Sequence, residues 1–238
     1  MMTMITFDGV TKKFLNHTAL ENVTIEIPAK GVTGVVGENG SGKSTLLKLA
    51  GGLLRPDKGE VTYKGAPVSR KDSSRIAYLS ENDHIYAFFR IDELINYQAS
   101  QFPDFNKQRA YDMLDFMNLD PAQRIKTLSK GNRGRVKIVV TLAREAELLL
   151  LDEPLSGLDP IVRRSIIQSL VSFVDVEAQG VLISTHEVSE MDPLLDRVLV
   201  LRQQHVLDME DSEAIREQFG VDTAGWMEHI YARERNVY

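Results

Sequence analysis

The stretch Gly37-Glu38-Asn39-Gly40-Ser41-Gly42-Lys43-Ser44-Thr45 is where residue types and spacing specify chemistry most directly. Its glycines allow backbone N–H groups to turn inward around an anion, and a helix opening directly behind them aims its positive dipole end at the same point. Lys43 is then placed to reach the terminal phosphates of a nucleotide, and the Ser44 hydroxyl to ligate Mg²⁺. The chemistry implied is the binding of a nucleoside triphosphate.

Two further candidate groups follow from strand ends. Leu148-Leu149-Leu150-Leu151 is an unbroken apolar run closed by Asp152 and Glu153, the pattern of a strand buried on both faces of a parallel sheet. Ligands of such sheets bind at the carboxyl ends of the strands. An acid there, beside a phosphate loop, can hold Mg²⁺, and a second can polarise an attacking water. Val181-Leu182-Ile183-Ser184 is a second buried run, and His186 just beyond it is placed to reach a phosphate. Phe14, read as lying in a polar loop, either stacks on a purine or folds onto the core. Ser129, in Leu128-Ser129-Lys130-Gly131-Asn132, offers a helix cap. His17 and His84 are read as surface polar residues.

The elements that must position these groups are legible as alternating and continuous apolar runs. Met4–Phe7, Val23–Ile27 and Val32–Val36 read as strands before the phosphate loop, with Glu60–Tyr63 and Ile76–Leu79 as strands after it. Residues 85–119 are rich in aromatics, with helical spacing in Leu94–Tyr97 and Met113–Met117. They predict a small helical subdomain, about residues 82–145, inserted into an α/β core. Its aromatics either pack among themselves or, around Ile85–Phe89, form a partner-docking patch. Pro160 starts a helix over 161–173, residues 196–201 and 205–209 read as closing strands, and Ser212–Phe219 as a helix. Residues 1–220 read as one nucleotide-binding unit and 221–238 as a tail with a final helix.

At 238 residues the chain can bury a sizeable core, and its formal charge of -6 argues against a nucleic-acid-binding surface. With no cysteine, disulfides and thiolate metal sites are excluded. No signal peptide is expected from the first residues, and no apolar run reaches membrane-spanning length, so a membrane role would require a partner chain.

In order, these motifs resemble the ATP-binding cassette of ABC transporters over about residues 4–215. The phosphate loop, the strand ending in Asp152-Glu153, the turn Ser156-Gly157-Leu158-Asp159 and His186 all match. Leu128-Ser129-Lys130-Gly131-Asn132 stands where the family's Leu-Ser-Gly-Gly-Gln signature belongs. The resemblance implies a phosphate-loop NTPase fold: a mostly parallel α/β core with an N-terminal antiparallel β subdomain and an inserted helical one. It also implies ATP and Mg²⁺, a head-to-tail pairing with a second nucleotide-binding subunit, and a separate transmembrane permease that would hold the chain on the cytoplasmic face of the membrane. In that scheme Ser129 and Gly131 cap the γ-phosphate in trans, Glu153 orients or deprotonates water, His186 steadies the γ-phosphate, Asp159 connects the two sites, and Phe14 stacks on adenine. Two positions depart from the family pattern. Glu81 stands where glutamine usually serves Mg²⁺, and Lys130 and Asn132 alter the signature as in members resembling drug, antibiotic or peptide exporters. A different class, a soluble nucleotide-switched clamp such as a DNA-repair ATPase, would carry a long coiled coil where this chain has a short aromatic-rich insert.

Overall fold

In the computed structural model, which describes residues 3–82 and 85–235, the apolar runs assemble into two sheets. Strands β1 (Thr3–Phe14) and β2 (His17–Pro28) form a hairpin, β3 (Gly31–Val36) runs into the phosphate loop and α1 (Lys43–Ala50), and β4 (Lys58–Tyr63) and β5 (Ala66–Pro67) return to the hairpin. The resulting sheet has the order β2-β1-β4-β5 and is antiparallel throughout. Next come β6 (Ile76–Leu79), the helices α2 (Ile91–Gln101), α3 (Lys107–Phe116) and α4 (Lys130–Leu142), then β7 (Leu148–Asp152), α5 (Pro160–Phe173), β8 (Gly180–Thr185) and the short α6 (Val188–Met191). The chain closes with β9 (Arg197–Arg202), β10 (His205–Asp211), α7 (Ser212–Phe219) and α8 (Thr223–Arg235).

The second sheet has the order β10-β9-β3-β8-β7-β6, parallel except for β10. Its register positions the site. Val36 lies opposite Thr185, and Asp152 opposite Ser184, so three neighbouring strands end at one level. The residues that follow, from Gly37, Glu153 and His186, therefore emerge side by side at the carboxyl edge. Leu148 to Leu151 are fully buried, as a strand covered on both faces requires.

The hairpin corrects one expectation. Phe14 does not lie in a loop: it ends β1 opposite His17, across a two-residue turn of Leu15 and Asn16. Register shifts after Phe7, Val10 and Lys12 break the strict alternation of this strand, which is why its second half reads as polar loop in the sequence. His17 begins β2 and is exposed. His84 lies outside the described residues.

Helix starts follow local chemistry. Ser129 caps α4 by accepting from Asn132 N–H, and Asp159 caps α5 by accepting from Ile161 and Val162, with Pro160 at the first helical position. In the aromatic insert, Tyr86, Phe88, Phe89 and Tyr97 cluster with ring centroids 4.4 to 5.9 Å apart, yet Tyr86 and Phe88 remain largely exposed. No helix among the described residues is long and apolar enough to cross a membrane.

Trp226, on α8, is 1 % exposed and belongs to the same core as β7, α4 and Met191. Trp226→Ala is therefore expected to destabilise the fold by about 3–5 kcal/mol, the range for emptying an aromatic core site, read as a lowered urea midpoint.

Candidate functional site

The phosphate loop is shaped by backbone that tolerates no side chain at two points. Gly37 has φ +156 and a Cβ there would stand 2.1 Å from the Leu201 carbonyl oxygen; Gly42 has φ +111 and its Cβ would meet the Ala19 carbonyl at 2.4 Å. Gly42 precedes α1 without any side-chain cap, so the first-turn amides are free to face an anion. Ser41 Oγ is buried beneath this loop without a hydrogen-bond partner.

Lys43 curls back over the loop. Its Nζ donates to the carbonyls of Gly37 (2.9 Å) and Glu38 (3.2 Å) and lies 3.2 Å from Glu153 Oε1. Both side chains are almost fully buried. The other carboxylate oxygen of Glu153 shares a 2.8 Å hydrogen bond with His186 Nδ1. Glu153 also adopts φ +46, a left-handed backbone uncommon outside glycine and costly to hold. Its N–H is fixed by Ser184 Oγ at 3.0 Å. The sheet edge thus aims one carboxylate between a cation from the loop and an imidazole from the next strand.

Asp152, 1 % exposed, is held from three sides. Its Oδ1 accepts from Ser44 Oγ and Ser184 Oγ, both at 2.8 Å, and its Oδ2 accepts from Tyr78 Oη at 2.8 Å. Burial, then the Asp152 charge, pushes the Tyr78 phenol well above its ordinary range, so the hydroxyl keeps its proton and donates.

One cleft, about 450 Å³, gathers Phe14, Asn39, Gly40, Gly42, Lys43, Ser44, Thr45, Glu81, Glu153 and His186. Glu81 is exposed on its wall. Ser129, Gly131 and Asp159 are not among the residues lining it; they sit together at the starts of α4 and α5, where a Cβ on Gly131 would press on Val162 at 2.8 Å and lie 3.7 Å from Asp159 Oδ2. Lys130 points back into its own chain, its ammonium over Gly157. His17, which the sequence marks only as a surface polar residue, Ala19, and Ser156 of the turn after Glu153 also line the cleft, and Tyr78 and Ser184, which carry no site signal in the sequence, complete the shell of Asp152.

Longer-range ties connect these parts. Lys137 of α4 donates to the carbonyls of Ser80 (2.6 Å) and Asn82 (2.8 Å), fastening the Glu81 segment to the helix that begins with Ser129. Arg163, near the start of α5, pairs with Glu187 beside His186. From α8, Thr223 binds Asp192 and Glu234 pairs with Arg202 at 2.8 Å, next to the Leu201 carbonyl on which Gly37 rests. Asp192 carries a lowered pKa: burial opposes ionisation, but its hydrogen bonds from Thr223 and its pairing with Arg216 outweigh that.

The donor set suits Mg²⁺. Among the described residues no group of three or more acidic, histidine or cysteine side chains could cage a metal alone. Ser44 and Asp152 instead present two hard oxygens 2.8 Å apart at the mouth of a phosphate loop, matching an ion that completes its shell with water and substrate phosphates.

A family model described as ABC transporter matches residues 20–156. An uncharacterised ABC transporter ATP-binding protein of Bacillus subtilis, YhaQ, is 28% identical over 91% of this chain and 74% of its own length. A putative ABC transporter ATP-binding protein of Methanosarcina acetivorans is 32% identical over 81% of this chain and 70% of its own. Among solved structures, an ATP-binding subunit of an ABC transporter superposes with a TM-score of 0.81 at 23% identity, covering 97% of this chain and 99% of that one. A bacterial ABC transporter cassette described as dimeric gives 0.75 at 23% identity over 87% and 98%.

Proposed function

Because the chain belongs to the ABC transporter family as an ATP-binding protein, we propose that it hydrolyses ATP to drive a separate transmembrane permease, and that the pair works as an exporter. The observation that carries the ATPase reading is the convergence of Lys43, Ser44, Asp152, Glu153 and His186 at one sheet edge. The exporter direction is supported by Lys130 and Asn132 in the signature, which resemble those of exporter-type cassettes.

In this reading the loop amides, with Lys43, bind the β- and γ-phosphates, and Phe14 stacks on the adenine. Phosphate competes with Glu153 for Lys43, so substrate binding itself releases the carboxylate to orient and deprotonate water. His186 then steadies the γ-phosphate and keeps Glu153 aimed through its 2.8 Å contact. Ser44 and Asp152 hold Mg²⁺, which when bound neutralises charge on the phosphates. Ser129 and Gly131, outside their own chain's cleft, cap the nucleotide of a second subunit, and Asp159 joins the two sites. ATP thereby adds contacts present only in the closed pair, and hydrolysis removes them.

The permease contact is assigned to the exposed aromatic patch of Tyr86 and Phe88; Tyr86 borders a groove of about 370 Å³ that Lys137 of α4 also lines. Affinity purification of the tagged chain from membranes tests this reading: a multi-span membrane protein should accompany it, and Phe88→Ala should weaken recovery. A chain recovered only with cytosolic proteins would favour a soluble clamp.

Glu81 is assigned to the metal side of the cleft, where its carboxylate adds charge. Glu81→Gln is expected to raise the Mg²⁺ concentration for half-maximal ATPase activity several-fold, roughly 1 kcal/mol. An unchanged Mg²⁺ curve would make Glu81 a bystander.

A further inference from the structure

We infer that Tyr78 is a positioning residue for the metal-binding carboxylate: its hydroxyl holds Asp152 Oδ2 so that Oδ1 stays presented to Ser44. The inference rests on the assignment of Asp152 and Ser44 to Mg²⁺ above, and goes beyond it by naming a residue that touches neither metal nor nucleotide.

The register makes the contact. In the parallel pair β6–β7, Tyr78 lies opposite Leu150. Side chains two residues apart on a strand share a face, so Leu150 and Asp152 point the same way as Tyr78. The step from 150 to 152 spans about 6.6 Å. A phenol ring with its hydroxyl can cover that distance; a phenylalanine ring, lacking the oxygen, cannot complete the contact. The observed result is the 2.8 Å bond from Tyr78 Oη to Asp152 Oδ2.

The bond matters because of what occupies the other oxygen. A carboxylate has about four lone-pair sites, and on Asp152 both serine donors, Ser44 and Ser184, use Oδ1. Among the described residues Tyr78 is the hydrogen-bond partner of Oδ2; without it that oxygen is buried and unsatisfied, and the carboxylate loses its restraint against turning. Rotation about the Cβ–Cγ bond would move Oδ1 away from Ser44 Oγ. Outer groups that orient a metal ligand in this way commonly affect metal affinity as much as 10–100-fold. Tyr78 also comes from the strand that leads to Glu81, so the element carrying the extra cleft acid carries the neutral donor on Asp152 as well.

The test measures binding, not turnover, in the full-length Glu153→Gln chain, with a fluorescent ATP analogue titrated at increasing Mg²⁺. Tyr78→Phe keeps the ring and its packing, and a thermal melt monitors the fold. The expected result is unchanged nucleotide affinity in EDTA and about a tenfold higher Mg²⁺ concentration for half-maximal tightening. Asp152→Asn serves as the reference and should shift that midpoint further. If Asp152→Asn shifts it and Tyr78→Phe leaves it at the parent value, the positioning role of Tyr78 is overturned while the metal assignment stands. If neither moves it, the assignment of Asp152 to the metal fails, and the inference with it.

Discussion

Lys43→Ala is expected to abolish ATP binding at millimolar nucleotide, with an affinity loss of about 100-fold or more. Two effects act in the same direction. The variant lacks the buried ammonium of the cleft, and a hydrogen bond to a charged group of this kind contributes roughly 1.5–3 kcal/mol. It also leaves buried Glu153 without its cationic partner and with His186 beside it, so a less compensated carboxylate now faces the incoming phosphates. The same loss should reach the free protein, since breaking a buried ion pair by removing one partner costs roughly 3–5 kcal/mol. Calorimetric titration with ATP, performed below the lowered melting point, reads the first effect separately from the second. Parent-like affinity would refute the assignment of the loop.

Glu153→Gln should act in the opposite sense on binding and more severely on turnover. Removing the carboxylate frees Lys43 from its 3.2 Å partner and takes a negative charge out of the cleft, so ATP affinity rises. The amide can still hydrogen-bond His186 but cannot accept a proton from water, and loss of a general base slows reaction by about 10²–10⁴-fold. The state expected to accumulate is an ATP-bound pair of subunits, to be read by light scattering as a doubled mass. Normal hydrolysis by this variant would mean another group activates water.

Much of this site could be read from the chain because its parts are contiguous or strand-terminal. The loop Gly37 to Thr45 carries its chemistry in nine successive residues, and Asp152 and Glu153 follow an apolar run with the pattern of a buried strand, which it forms. The helix over Ser212–Phe219 and the buried strands of the parallel core are legible in the apolar patterns, whereas the antiparallel N-terminal sheet follows from the family resemblance.

What stayed hidden depends on register and on distant packing. Tyr78 is 74 positions from Asp152, and only the offset of β6 against β7 brings the phenol to that carboxylate. The Lys43–Glu153 pair likewise requires the loop and the β7 end to meet at one level. Phe14 reads as a loop residue in the sequence, although it ends β1, because bulges break the alternation of that strand. Trp226, with no pattern around it to mark a core face, proves to be buried when α8 folds back onto Met191 and Arg202.

In the proposed cycle two cassettes trap ATP between the phosphate loop of one and the signature of the other. A structure of the Glu153→Gln chain with ATP and Mg²⁺ tests it most directly. The expected result is two chains related head to tail, with Ser129 Oγ of each within about 3 Å of a γ-phosphate oxygen held by the other's Lys43. ATP bound at full occupancy in a single chain, with Ser129 remote from every γ-phosphate in crystal and solution alike, would contradict it.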